Sequence, residues 1–184
     1  NENFPLVALL VVCMMAAMNT ISATSISLEG KYIWMLKVFP VSPWDIFKAK
    51  LGVHLVITVI PAVFCTVSFA VAGGADIVTI LYMIAATIVF ILYSALVGLL
   101  CNLRFPNLTW TNEAQAVKQN TSVIVATFAP WGMLIILAVI CLMMRITGTP
   151  VTKCLSTAMA LTLAVSFLLI KKLLGSGSDQ FIDL

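Results

Sequence analysis

The 184 residues include ten Lys or Arg, seven Asp or Glu and one His, for a net charge of +3, and 62% of them are hydrophobic. Mean hydropathy is +1.14, and only 9% of the residues are charged, against about a quarter in an ordinary soluble domain. Too few charges remain to cover a globular surface, so a soluble protein is excluded. Lipid admits only helices or closed barrels, and barrel-type alternation is absent. The prediction is an all-α polytopic transmembrane helix bundle of about five spans plus a short cytoplasmic helix.

The chain opens NENFPL, without a basic n-region or a small-residue cleavage site. It reads as a cut through a longer protein rather than as a signal peptide. The first apolar run, residues 4–23, turns polar at Asn19, Thr20 and Ser22. A charged stretch follows, SLEGKYIWMLKVFPVSPWDIFKAK, residues 27–50. The second run, 51–72, contains Pro61 and closes on Gly73-Gly74, as helices often do. Asp76 is placed to cap the third run, 77–101, which has no charge. A polar stretch, 102–122, leads to the fourth run, 123–144, with Pro130 and Gly132 inside. After a link with Gly148 and Pro150, the fifth run, 154–170, ends on Lys171-Lys172, and the tail GSGSDQFIDL reads as flexible. Each run is long enough, or nearly so, for the roughly 20 residues that a crossing takes. Pro61 and Pro130 suggest kinks, either packing bends or gating hinges.

The five cysteines are scattered, with no C-x-x-C, and read as small lipid-compatible residues. His54 has no carboxylate one turn away, so neither a metal site nor a cofactor is expected. No ionisable residue is expected deep in a span, which disfavours an ion- or proton-driven pump. The membrane polar groups are hydroxyls and the Asn19 amide, most of them bonding within or between helices. Ser94 and Gly98 form a small-xxx-small pair suited to close packing.

Orientation follows from Lys and Arg. With residues 24–50 in the cytoplasm, Lys31, Lys37, Lys48, Lys50, Arg104, Lys118, Lys171 and Lys172 are inside, and Arg145 and Lys153 are outside. That bias puts the N-terminus of the chain outside and its C-terminus in the cytoplasm of a plasma membrane. The glycosylation triplets at Asn107 and Asn120 then face the cytoplasm and read as chance.

Within the charged stretch, Ser42-Pro43-Trp44-Asp45 is a helix start, with hydroxyl at N-cap, Pro at N1 and acid at N3. The helix should run straight into the second span, with Lys48 and Lys50 snorkelling where it leaves the bilayer. Leu28, Tyr32, Met35, Leu36 and Phe39 form one apolar stripe, predicting a helix over residues 28–39 that Pro40 stops. Such a helix could lie on the membrane, plug into a soluble partner, or line a substrate entrance. In the second loop, Asn112 is placed to cap a short helix with Gln115 at N3, while Phe105 and Trp110 suit the membrane interface.

Glu29-Gly30, a stretch with Leu36, then Pro40-Val41-Ser42 and Lys50 resemble the cytoplasmic signature of ABC-2-type transporter permeases. The Gly30-to-Pro40 spacing is one residue longer than in the commonest version. The fuller string S-x-E-G-K-x-x-W-x-L-K-x-x-P-V-S resembles a long branch of ABC exporter permeases of Gram-positive bacteria. So does P-x-L-x-W-x-N-E-x-x-A-V-K-Q-N, carried here by Pro106, Leu108, Trp110, Asn112, Glu113 and Ala116 to Asn120. The resemblance covers residues 22–122 and, by topology, most of the chain. It implies a single transmembrane domain over 1–184, five helices of the C-terminal half of a two-half permease. Residues 24–50 would form the coupling loop and 102–122 a second cytoplasmic loop.

The implied function is that of a membrane subunit of an exporter, not itself an enzyme. ATP hydrolysis would occur in a partner ATPase, since G-x-x-x-x-G-K-[ST] is absent. The other implied partners are the remaining half or a second permease copy, and the bilayer; no nucleic acid is implied. Glu29, Gly30, Lys31, Tyr32, Trp34, Met35, Leu36, Phe39, Pro40 and Ser42 become the coupling residues. Pro106, Trp110, Asn112, Glu113 and Lys118 mark the second loop. The alternatives are a structural or sensory membrane subunit and an intramembrane enzyme, the latter lacking His or carboxylate clusters in its spans.

Overall fold

The computed structural model of the chain describes residues 3–38, 40–108, 110 and 121–183, without the side chains of Lys31, Leu36, Lys37 and Asp183. Among the described residues, five helical segments are long and apolar enough to cross a membrane. They correspond to the five hydrophobic runs. The first is broken: α1 (Phe4–Ala17) stops, Asn19 and Thr20 leave the helix, and a short α2 (Ile21–Thr24) resumes it. A 3₁₀ turn (Ser27–Tyr32) and α3 (Ile33–Val38) follow. The remaining spans are α4 (Pro43–Ala72), α5 (Ile77–Arg104), α6 (Thr121–Ile146) and α7 (Val151–Lys172). A π-helical turn (Leu173–Gly177) and α8 (Ser178–Asp183) complete the described chain.

The helix starts obey local chemistry. Ser42 is the N-cap of α4; its Oγ accepts the Asp45 N–H at 3.2 Å and donates to Asp45 Oδ2 at 2.6 Å, with Pro43 at the first helical position. Asp76 caps α5, accepting the Thr79 N–H at 3.2 Å and the Thr79 hydroxyl at 2.6 Å. The Thr79 hydroxyl and the backbone N–H groups hold the Asp76 carboxyl below the usual carboxylate range. Helix α4 runs unbroken from the cap through Pro61 to Ala72, and Gly74 turns the chain with a positive φ of 66°.

Helix α5 is the centre of the bundle. Of its most apolar window 61% is buried, against 22–33% in the other four spans. The others pack around it and turn apolar side chains outward, such as Ile60 and Phe64 of α4, Phe128 and Ile135 of α6, and Phe167 and Leu168 of α7. An exterior this apolar suits hydrocarbon, not water. Gly98 is where α5 approaches α2 most closely: a Cβ there would lie 2.2 Å from Ser22 Oγ and 3.1 Å from the Ala23 nitrogen. Close packing is therefore found at Gly98, with the partner being the broken first span.

Two expectations are corrected. The helix expected over residues 28–39 is divided: Gly30 at φ 51°, ψ −132° kinks the chain inside the 3₁₀ turn, ahead of α3, because only glycine adopts that backbone without strain. The tail expected to be flexible is folded as far as residue 183. Leu173 and Phe181 are buried in the largest apolar cluster, and Phe181 meets Phe47 of α4 edge-to-face at 5.6 Å. The glycines and serines there are a short turn between two apolar anchors.

Candidate functional site

The two stretches singled out in the sequence converge at one end of the bundle, around the segment from Ile21 to Tyr32. The break in the first span leaves its backbone without helical partners. Buried backbone groups must bond to something, and side chains from α4, α5, α6 and the loop after α5 supply the bonds.

Asn102, near the end of α5 and fully buried, is the hub. Its Oδ1 accepts the N–H groups of Ile26 at 2.7 Å and Ser27 at 3.1 Å. Its Nδ2 donates to Ser27 Oγ at 2.7 Å and Ser122 Oγ at 3.3 Å. Two bonds to the oxygen and two from the amide nitrogen fill the bonding capacity of an asparagine. Ser122, in the first turn of α6, donates in turn to the Ala23 carbonyl at 2.8 Å. One side chain thus ties the first span to the third, and through Ser122 to the fourth.

The second loop reaches the same place. The Trp110 indole N–H donates to the Ser27 carbonyl at 2.6 Å, and the Asn107 N–H donates to Ser27 Oγ at 3.0 Å. A Cβ on Gly30 would lie 3.0–3.2 Å from the Trp110 ring. Position 30 therefore requires glycine twice, for its backbone angle and for the indole lying against it.

Lys50 binds the segment from α4. Its Nζ donates to the Ser25 carbonyl at 2.6 Å and pairs with Glu29 Oε1 at 2.8 Å. Only 14% of the Lys50 side chain is exposed, so it turns inward rather than snorkelling. Lys48 behaves as a surface lysine, paired with Asp45 at 2.6 Å on a half-exposed face.

On this frame the side chains of the charged stretch and the residue before it divide. Ile26 and Ile33 are buried and anchor the segment. Leu28, Tyr32, Trp34, Met35, Val38 and Val41 are exposed, Val38 by 73% and Trp34 by 57%. Pro40 and Ser42 sit exposed in the corner before α4, and Pro106 is half-buried beside the junction. The side chains of Lys31 and Leu36, together with Phe39, Asn112, Glu113, Gln115 and Lys118, lie outside the described residues.

Sequence reasoning missed Asn102, Ser27, Ser122 and His54. An amide closing an uncharged apolar run was the available signal for Asn102, since such a group needs partners in a membrane. His54 is fully buried in α4, one helical turn beyond Lys50.

At the opposite end, Arg145 Nε donates to Asn3 Oδ1 at 2.8 Å and its guanidinium to the Thr149 carbonyl at 2.8 Å. Below it an apolar cavity of about 300 Å³ opens between α1, α5, α6 and α7, lined by side chains such as Leu10, Phe90, Leu137 and Met159.

Residues 2–175 match a family model described as "Membrane protein of 12 TMs". The chain belongs to this family of twelve-span membrane proteins. No curated protein and no solved structure matches it. In this family member the matched region takes in all of α1 to α7, and with them the whole Asn102 junction.

Proposed function

We propose that the chain is the membrane-spanning part of an ATP-binding-cassette exporter of the ABC-2 type, one of the two halves of a long permease. In this reading the end bearing Asn102, Lys50 and Trp110 faces the cytoplasm of the plasma membrane, and a partner ATPase docks there. The observation that carries the reading is the convergence of the two permease-like motifs. Glu29 pairs with Lys50, Trp110 of the second motif closes over Gly30 of the first, and Tyr32, Trp34, Met35 and Val38 beyond the kink are exposed. A segment bonded tightly on its inner side and exposing large side chains on its outer side suits a docking element. Aromatics and Met are favoured at interface cores.

The mechanism follows from the connections. Nucleotide binding brings the ATPase domains together and displaces the docked segment. The segment cannot move alone, because Asn102, Ser122 and Lys50 tie it to α5, α6 and α4. Helices α4 to α6 then shift as bodies, a switch biased from outside the membrane.

The test is co-purification. A Tyr32→Ala/Trp34→Ala/Met35→Ala variant alters only exposed side chains and should fold. It is expected to lose a soluble ATPase that wild type retains. Retention of the ATPase by the triple variant would refute the docking assignment, and the absence of any ATPase from wild type would favour a structural or sensory membrane subunit.

A further inference from the structure

We propose that His54 is a proton-binding site: its neutral imidazole holds the Ile21–Thr24 helix and the segment after it against α4, and uptake of a proton releases them. This goes beyond the transport reading and does not require an ATPase partner.

Ionisable side chains inside membrane spans are rare and cluster at functional positions. His54 is fully buried. Its Nδ1 accepts the backbone N–H of Ser22 at 3.4 Å, a long bond. A nitrogen that accepts has a free lone pair, so the ring is neutral with its proton on Nε2. An imidazolium has no acceptor, so protonation must break this bond. Among the described residues Nε2 has no partner, and neither has Ser22 Oγ. Most buried side-chain polar atoms are bonded, which sets an unpartnered Nε2 apart.

The neighbours on the same face of α4 hold the same piece of chain. One turn towards Pro43, Lys50 bonds the Ser25 carbonyl and Glu29. One turn the other way, Thr58 Oγ1 accepts from the Asn19 amide at 2.6 Å. His54 is the middle of three ties, and the one whose acceptor bond a proton would break.

The charged surroundings set the direction. On α4 the nearest cation is Lys50, already engaged by Glu29 of the 3₁₀ turn; Lys48 and Asp45 pair with each other on the exposed side. Helix α2 has no titratable side chain. Helix α5 offers Gly98 and Asn102 at this junction, whereas its Tyr93 and Cys101 pack in a separate cluster with Cys13 of α1 and Leu134 of α6. Asp179 of α8 is exposed. A proton on His54 would add a second cation one helical turn from Lys50, whose partner Glu29 is already engaged. The docked arrangement therefore excludes the proton, and by linkage acid favours the released one.

Because His54 is the single histidine, a ¹⁵N-histidine-labelled chain in lipid nanodiscs gives one set of imidazole signals. At pH 7.5 the expected result is an unprotonated Nδ1 and a protonated Nε2. At pH 3.5 both nitrogens should carry protons, and amide hydrogen exchange over residues 19–30, corrected for its intrinsic pH dependence, should rise about tenfold. His54→Asn, whose Oδ1 reproduces the acceptor without titrating, should hold exchange low at both pH values. A ring that stays neutral at pH 3.5, or one that protonates without added exchange, would overturn the proposal. So would an Asn variant that opens in acid as wild type does. The wild-type titration decides by itself if that variant fails to fold, and no readout involves an ATPase.

Discussion

The two ends of the bundle solve the same problem in opposite ways. At the end bearing Gly74, Asp76 and Gly148 the chain turns in few residues and satisfies most of its backbone locally. Asp76 caps three residues ahead, and Arg145 reaches a carbonyl four residues ahead. At the other end the backbone breaks at Asn19 and Gly30, and side chains from 25 to 99 residues away in sequence bond to it. A locally closed turn is stable whatever the neighbouring spans do. A segment held from α4, α5 and α6 moves only when they move, which suits it to carrying a conformational signal.

The contrast predicts a ranking of substitutions. Asn102→Leu is expected to have the largest effect. It strands the buried N–H groups of Ile26 and Ser27, at about 1–3 kcal/mol for each, and should show as a marked loss of Tm in detergent. A small shift there would mean that the junction is not held by its hub. Gly30→Ala comes next: forcing a side chain into that backbone costs about 1–3 kcal/mol, and the Trp110 ring must move. A red-shifted indole emission alongside a lowered Tm would register both. The smallest effect belongs to the other end. The wild-type Asp76 cap should exceed an Asp76→Asn cap modestly in Tm at neutral pH. The carboxyl is held below its ordinary range, so its contribution is complete above the unfolded value of about 4 and fades as pH falls through the lowered folded one. A difference that persists below that value would mean that the ionised cap is not its source.

This division also explains what the sequence discloses. Five spans are legible because bilayer thickness sets their length. The Ser42 and Asp76 caps are legible because donor and acceptor lie three residues apart. Glu29, Gly30, Lys50 and Trp110 are recognisable as members of two motifs, yet their mutual contacts follow from neither motif alone. Asn102 and Ser27 are 75 residues apart, and nothing in either neighbourhood announces the other. Gly30 carried a usable signal, since glycine inside a helical pattern suggests a break. The tail misled because GSGS dominates its composition, whereas Phe181 decides its position.

The inner face of α4 has a consequence for how the bundle assembles. Hydrocarbon solvates Ile60 or Phe64 about as well as protein does, so apolar contacts alone give a newly inserted helix little reason to prefer one neighbour over another. Lys50, His54, Thr58 and Thr66 each reach a specific atom on the first span or, for Thr66, on Thr87 of α5 at 3.1 Å. These four side chains act as addresses, telling α4 which helices to choose and in which register to stop.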